Sequence, residues 1–311
     1  MKLSKMLTEG GNVFDLAGPI DRENIKPTLK EFMRELIKVF PKAKKFVGSM
    51  KTLGSVGKKP VSGDIDLALS TSAFDDLTTW DIDQEEINQL FEKFKKSSRS
   101  ANDEMLMRRA FITAMGEQIE KKSNTLDVSL KSSGAGSIFF AFPQYTPDGK
   151  KTSEYVQIDV NVGDVDWLSF SYFSDKYEGS IKGLHRTQLI LALFGRKGYL
   201  FSHTNGVKNK ETGEFVAKTP QQAVDLLNKL YNMDIDLKTL ENYFKLQEYI
   251  RANISEEELN DVYSSYIRVL DKTRADIPED LQQFWIDNQD RLGLTGKFLP
   301  DTSKLKKYAT Q

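Results

Sequence analysis

The run Leu53-Gly54-Ser55-Val56-Gly57-Lys58-Lys59-Pro60-Val61-Ser62-Gly63-Asp64-Ile65-Asp66-Leu67-Ala68-Leu69 constrains this chain more than any other segment. Ile65, Leu67, Ala68 and Leu69 make its second half read as a buried strand. Alternate residues of a strand share a face, so Asp64 and Asp66 project together. Two carboxylates brought that close repel each other, and burial makes them expensive unless something compensates. A divalent cation is the usual remedy: Mg²⁺ takes a few carboxylates and completes its shell with water and phosphate oxygens. The Gly54-Ser55 turn ahead of the acids supplies N–H groups and a hydroxyl for phosphate, because glycine lets the main chain come close to an anion. Together these parts describe a site for a nucleoside triphosphate and its Mg²⁺ (or Mn²⁺).

A Gly-Ser pair, a short spacer and Asp-Ile-Asp in an apolar strand resemble the signature of the polymerase-β-type nucleotidyltransferase superfamily. That superfamily includes poly(A) polymerases, CCA-adding enzymes, antibiotic nucleotidyltransferases, minimal nucleotidyltransferase toxins and cyclic-nucleotide synthases. The resemblance covers residues 21–167 and implies a reaction type, not an acceptor. It implies an α+β fold, a palm-like mixed sheet flanked by helices, with a third acid on a neighbouring strand. Asp159 is the best match: in Tyr155-Val156-Gln157-Ile158-Asp159-Val160-Asn161-Val162 the polar residues alternate with apolar ones, a period of two. Asp127, in Thr125-Leu126-Asp127-Val128-Ser129-Leu130, competes for the role. Asp164 and Asp166 follow the strand in what reads as a loop and rank below both.

By the same resemblance, Asp64, Asp66 and Asp159 are metal ligands and catalytic residues. Gly54 and Ser55 position the β- and γ-phosphates, and Lys58, Lys59 or Lys182 neutralises developing charge. A second pair, Gly48-Ser49, follows Phe46-Val47 and is the alternative phosphate turn. Lys182, His185 and Arg186 gather where a helix begins, a place that favours anions. A triphosphate clamp and ordinary surface charge are equally good readings of that cluster. The expected activity is template-independent transfer of a nucleoside monophosphate to a hydroxyl, with a short RNA or tRNA end favoured as acceptor. A protein acceptor, or a non-catalytic nucleotide-binding or scaffolding role for the same fold, is the alternative.

Composition narrows the partners. The net charge of −1 lacks the broad basic surface that long nucleic acid requires, leaving local clusters such as Lys42, Lys44 and Lys45. Zero cysteines exclude disulfides and thiolate metal sites, and two histidines argue against a histidine-based zinc site. The longest apolar run, Leu189-Ile190-Leu191-Ala192-Leu193-Phe194, is too short to span a membrane, and the basic start Met1-Lys2-Leu3-Ser4-Lys5 has no apolar stretch behind it. A cytoplasmic protein without membrane partners is expected.

The 311 residues are expected to divide into a catalytic domain (1–170), a connecting helix and hairpin (171–218) and a helical C-terminal domain (219–311). Ile25, Leu29, Phe32, Met33, Leu36, Ile37 and Phe40 predict a helix behind Asp21, stopped by Pro41. Helices over 83–96 and 102–121 follow, then strands over 124–130, 138–145 and 154–162. Pro147-Asp148-Gly149 marks a hairpin turn that delivers Asp159. In the C-terminal half, helices are expected over 184–194, 221–231, 236–253, 256–275 and 278–292. A hairpin over 199–217 lies between the first two of these, turning at Asn205-Gly206 or Thr212-Gly213, with His203 as a loop residue. Tyr243, Phe244, Tyr249, Tyr263, Tyr266 and Phe284 read as core packing.

Overall fold

Two compact units, Met1–Glu178 and Gly179–Gln311, make up the chain. The computed structural model describes residues 13–97, 102–131, 133, 136–174, 183–273 and 277–294.

In the first unit a two-residue strand β1 (Ile20–Asp21) leads into helix α1 (Arg22–Val39), with Asp21 at its N-cap. Its apolar stripe is buried through Ile25, Leu29, Phe32 and Leu36. Beyond Pro41 a short helix α2 (Lys44–Gly48) precedes strand β2 (Lys51–Thr52), and β3 (Val61–Ser62) pairs back on β1. Next come β4 (Ile65–Ser70), helices α3 (Gln84–Ser97) and α4 (Asp103–Lys122), and strands β5 (Asp127–Ser129), β6 (Ser137–Tyr145) and β7 (Lys151–Gly163). Asn102 caps α4 by accepting the Met105 N–H at 2.9 Å. Among the described residues, the last element of this unit is α5 (Val165–Ser171).

The sheet is mixed, in the order β2-β4-β7-β6-β5; β4 and β7 run parallel and every other neighbour is antiparallel. The Pro147-Asp148-Gly149 turn forms the β6–β7 hairpin, with Gly149 at φ +82°, a conformation glycine adopts without strain. One face is apolar: Ile65, Leu67, Leu69, Ile138, Phe140, Phe142, Ile158, Val160 and Val162 are all buried. Helix α1 packs on it, Phe32 meeting the rings of Phe140 and Phe142 edge-on at 5.0 and 5.5 Å. Each such side chain contributes about 1.5–3 kcal/mol by leaving water. That burial fixes the register, because slipping a strand by one residue would expose its whole apolar row. The other face is therefore committed to Asp66, Asp159 and their neighbours.

The second unit holds α6 (Gly183–Arg196), a three-stranded antiparallel sheet of β8 (Tyr199–Ser202), β9 (Gly206–Asn209) and β10 (Phe215–Ala217), and helices α7 (Pro220–Tyr231), α8 (Leu237–Glu241), α9 (Tyr243–Asn253), α10 (Glu256–Thr273) and α11 (Gln282–Leu292). Both candidate turns are used, so the single expected hairpin is a meander. The expected helix over 236–253 is two helices, because Asn242 leaves the helical conformation and its side chain accepts the Lys245 N–H at 3.0 Å. Thr219, Pro220 and Gln222 open α7 with a full capping box. Among the described residues, no helix is long and apolar enough to cross a membrane.

Candidate metal and phosphate site

Asp66 and Asp159 stand directly opposite each other in the parallel β4–β7 register. Asp64 lies just before β4 and contributes its charge to both. Burial pushes the carboxyl of Asp66 up to about 7, with the charge of Asp64 adding to it. Asp159 rises to about 8, first from burial and then from Asp66 and Asp64. Asp64 is raised by burial as well. No basic side chain among the described residues figures among the causes acting on these three acids. The nearby Tyr172 hydroxyl is half-buried and feels all three acids; its removal from water first, and then their charges, raise it above the ordinary phenol range.

Polar neighbours hold two of the acids. Gln157 Nε2 donates to Asp159 Oδ1 at 2.9 Å, and Gln157 Oε1 accepts the Val13 N–H at 2.7 Å. Asn161 Nδ2 donates to Asp66 Oδ1 at 3.2 Å. Sequence reasoning reads Gln157 and Asn161 only as the polar face of a strand; their placement two residues to either side of Asp159 is the signal for their roles. Tyr172 carries no such signal, because it reaches the face only through the fold of α5.

The two Gly-Ser pairs part company here. Gly48 ends α2, and the Ser49 hydroxyl donates to Phe46 O at 2.9 Å, so that pair closes a helix. Gly54 follows β2 with φ +63°, and a Cβ there would lie 3.6 Å from Tyr172 O and 3.9 Å from Asp66 Oδ2. Within the turn, Leu53, Val56 and Lys58 spend their N–H groups on Asp66 O, Leu53 O and Ser55 O. Among the described residues, the N–H groups of Gly54, Ser55 and Gly57 have no such acceptor. Arg22 anchors the loop from outside, donating to Lys59 O at 3.0 Å and Lys58 O at 2.7 Å, and taking Pro60 O through its own N–H. Lys58 Nζ donates to Ser174 O at 2.6 Å and lies 5.2 Å from the Phe173 ring, while Lys59 is exposed.

The other candidates are placed elsewhere. Asp127 lies on edge strand β5, paired with Ala141, two strands from β7 and about 10 Å away at ordinary strand spacing. It is exposed, on the wall of a groove of about 700 Å³ shared with Leu16, Thr125, Tyr145 and Tyr155. Asp164 caps α5, accepting the Trp167 N–H at 2.8 Å, and Asp166 is exposed in its first turn. His185 and Arg186 are buried in the second unit: His185 Nδ1 hydrogen-bonds the Tyr266 hydroxyl at 3.0 Å, and Arg186 Nε donates to Leu240 O at 3.0 Å. Lys182 lies outside the described residues. His203 is held below the ordinary imidazole range by burial and by Arg186.

The donor set fits a divalent cation: all oxygen, anionic, partly buried and short of compensating charge. Among the described residues, however, no three His, Cys, Asp or Glu side chains are drawn together into a ready-made ligand cage. The acids share a face without closing on one point. No protein-family model and no curated protein matches the chain.

Proposed function

We propose that this protein is a metal-dependent nucleotidyltransferase of the polymerase-β type, with a palm-like catalytic unit. It moves a nucleoside monophosphate from a nucleoside triphosphate to an acceptor hydroxyl, an RNA end being favoured. One observation carries the reading: Asp66 and Asp159 face each other in register on parallel strands, beside Asp64 and against the Gly54 turn. Asp64, Asp66 and Asp159 would hold Mg²⁺ or Mn²⁺. When bound, such an ion stabilises charge on the reacting phosphate and makes the acceptor hydroxyl a better nucleophile.

The chain's own residues do the rest. The N–H groups of Gly54, Ser55 and Gly57 offer hydrogen bonds to phosphate oxygens, and the absence of a Cβ at position 54 keeps that approach open. Lys58 and Lys59 bring positive charge to the same loop, which Arg22 keeps in place. Gln157 and Asn161 keep Asp159 and Asp66 oriented. A near-neutral chain with local lysine clusters suits a short acceptor end better than a long duplex.

The test is incubation with each labelled nucleoside triphosphate, Mg²⁺ or Mn²⁺, and total cellular RNA. Metal-dependent incorporation that vanishes in Asp66→Asn supports the reading. Incorporation retained by Asp66→Asn, or absent from the wild type with every nucleotide and metal, defeats it.

A further inference from the structure

The strand that carries Asp159 also carries an amide two residues to either side, and each amide takes one oxygen of a different carboxylate. Gln157 serves Asp159 on its own strand, whereas Asn161 reaches across to Asp66 on β4. An asparagine amide has nearly the same shape turned over, with donor and acceptor ends exchanged. Here the acceptors beside Nδ2 settle the choice, the Asp66 carboxylate at 3.2 Å and Asp159 O at 3.5 Å, while Ser137 Oγ and the Tyr172 hydroxyl, which can give or take a proton, donate to Asn161 Oδ1 at 2.6 and 3.3 Å. Turned over, the amide would set its oxygen against the Asp66 carboxylate, acceptor against acceptor. Asn161 is only 2% exposed, so water has little access to relieve that clash.

We infer that Asn161, locked by Ser137 and Tyr172, is a positioning residue that commits Asp66 Oδ1 to the protein and presents Oδ2, on the Gly54 side, to a divalent cation. This rests on the metal-dependent reading above. The signature is a strand pattern, amide-x-acid-x-amide, in which one amide serves its own strand and the other serves the neighbour.

The test is Mn²⁺ binding to the full chain, followed by the electron paramagnetic resonance signal of free Mn²⁺, with transfer kinetics alongside. Asn161→Leu keeps the bulk and removes the donor; it weakens Mn²⁺ binding about 10–100-fold, the usual cost of losing a group that orients a ligand. Activity then recovers toward wild type as Mn²⁺ is raised, so the defect falls on the metal requirement more than on kcat. The Ser137→Ala, Tyr172→Phe double variant keeps Asn161 but unlocks it, and shows the same defect in smaller measure. Wild-type Mn²⁺ affinity in a folded Asn161→Leu overturns the inference; if that variant does not fold, unchanged affinity in the double variant overturns it. A wild type without saturable Mn²⁺ binding removes the metal reading itself, an outcome distinct from tight binding that ignores these substitutions.

Discussion

Each unit gathers a cluster of polar side chains around a buried amide, Asn161 in the first and Gln247 in the second, but the two clusters close differently. In the second unit the Tyr263 hydroxyl donates to Gln247 Oε1 at 2.6 Å, Gln247 Nε2 to the Tyr243 hydroxyl at 2.8 Å, and Arg251 to both Tyr263 and Asp280. Donor meets acceptor at each step, and the one carboxylate faces a guanidinium. In the first unit three carboxylates share a face with two amides and two hydroxyls, and among the described residues the charges that reach Asp66 and Asp159 are those of the other acids. A polar network that satisfies itself adds rigidity. One that leaves like charges facing each other raises their proton affinity and marks a place where something from outside completes the balance.

The largest effect expected is the loss of that balance. Asp66→Asn or Asp159→Asn should lower transfer roughly a thousandfold or more, the scale of removing a preorganised charge-stabilising group, with some triphosphate binding retained in Asp159→Asn. Stability should move the other way. The folded-state carboxyls of Asp66 and Asp159 lie at about 7 and about 8, above the ordinary 3.8. Between those limits the folded chain binds more protons than the unfolded one, so their contribution is full below about pH 4 and is lost as pH rises through 7–8. Metal-free Asp66→Asn should therefore exceed wild type at pH 8 by on the order of 1–3 kcal/mol. The gap should close by pH 4, and added Mg²⁺ should stabilise only the wild type at pH 8. Thermal unfolding across pH checks all three; a wild type equally stable at pH 5 and 8 without metal would remove the contrast between the clusters.

Next in size is the turn. Gly54→Ala puts a Cβ into a φ of +63°, against Tyr172 O and Asp66 Oδ2. The backbone cost is about 1–2 kcal/mol. The triphosphate KM should rise about tenfold, the equivalent of roughly 1.4 kcal/mol of lost phosphate contact. The same substitution at Gly48, at the end of α2 with nothing within 4 Å of its Cβ position, should leave KM unchanged. Steady-state kinetics on the two variants separates the two Gly-Ser pairs.

Much of this geometry was legible in the chain because it follows from period. The alternation through Gln157, Asp159 and Asn161 named the strand and its polar face, and Pro147-Asp148-Gly149 named the hairpin that carries it. The α+β class is what the resemblance to nucleotidyltransferases implies, and the helices and mixed five-stranded sheet agree with that class. Partnership across the sheet was not legible. Nothing local says that Asn161 serves the carboxylate of Asp66 instead of that of Asp159, since that depends on the parallel register of strands far apart in sequence. Capping was ambiguous for a similar reason: Asp164 beside an acidic strand looks like a ligand until α5 takes its side chain as a cap. His185 and Arg186 drew notice as a charged cluster at a helix start, but charge alone does not reveal that tertiary packing buries both.

The closed network yields the next smaller effect. Gln247→Leu strands the Tyr263 donor and removes the donor to Tyr243, at a cost of about 1–3 kcal/mol of unfolding free energy. Transfer per folded molecule should stay within about twofold of wild type if this cluster is architecture. A larger loss of activity in Gln247→Leu, with the fold intact, would make the second unit's network part of the chemistry and dissolve the comparison.

The smallest expected effect is at Asp127, the acid that competes with Asp159 for the third place on the strength of sequence alone. It is exposed on edge strand β5, two strands from β7, and Asp127→Asn should shift stability by no more than about 0.5 kcal/mol. Transfer should stay within about twofold, because an exposed charge about 10 Å from the reacting face is largely screened. A loss comparable to that of Asp159→Asn would move the third acid to β5. The in-register pairing of Asp66 with Asp159 would then have to be explained as structure, against the cost of burying two facing carboxylates.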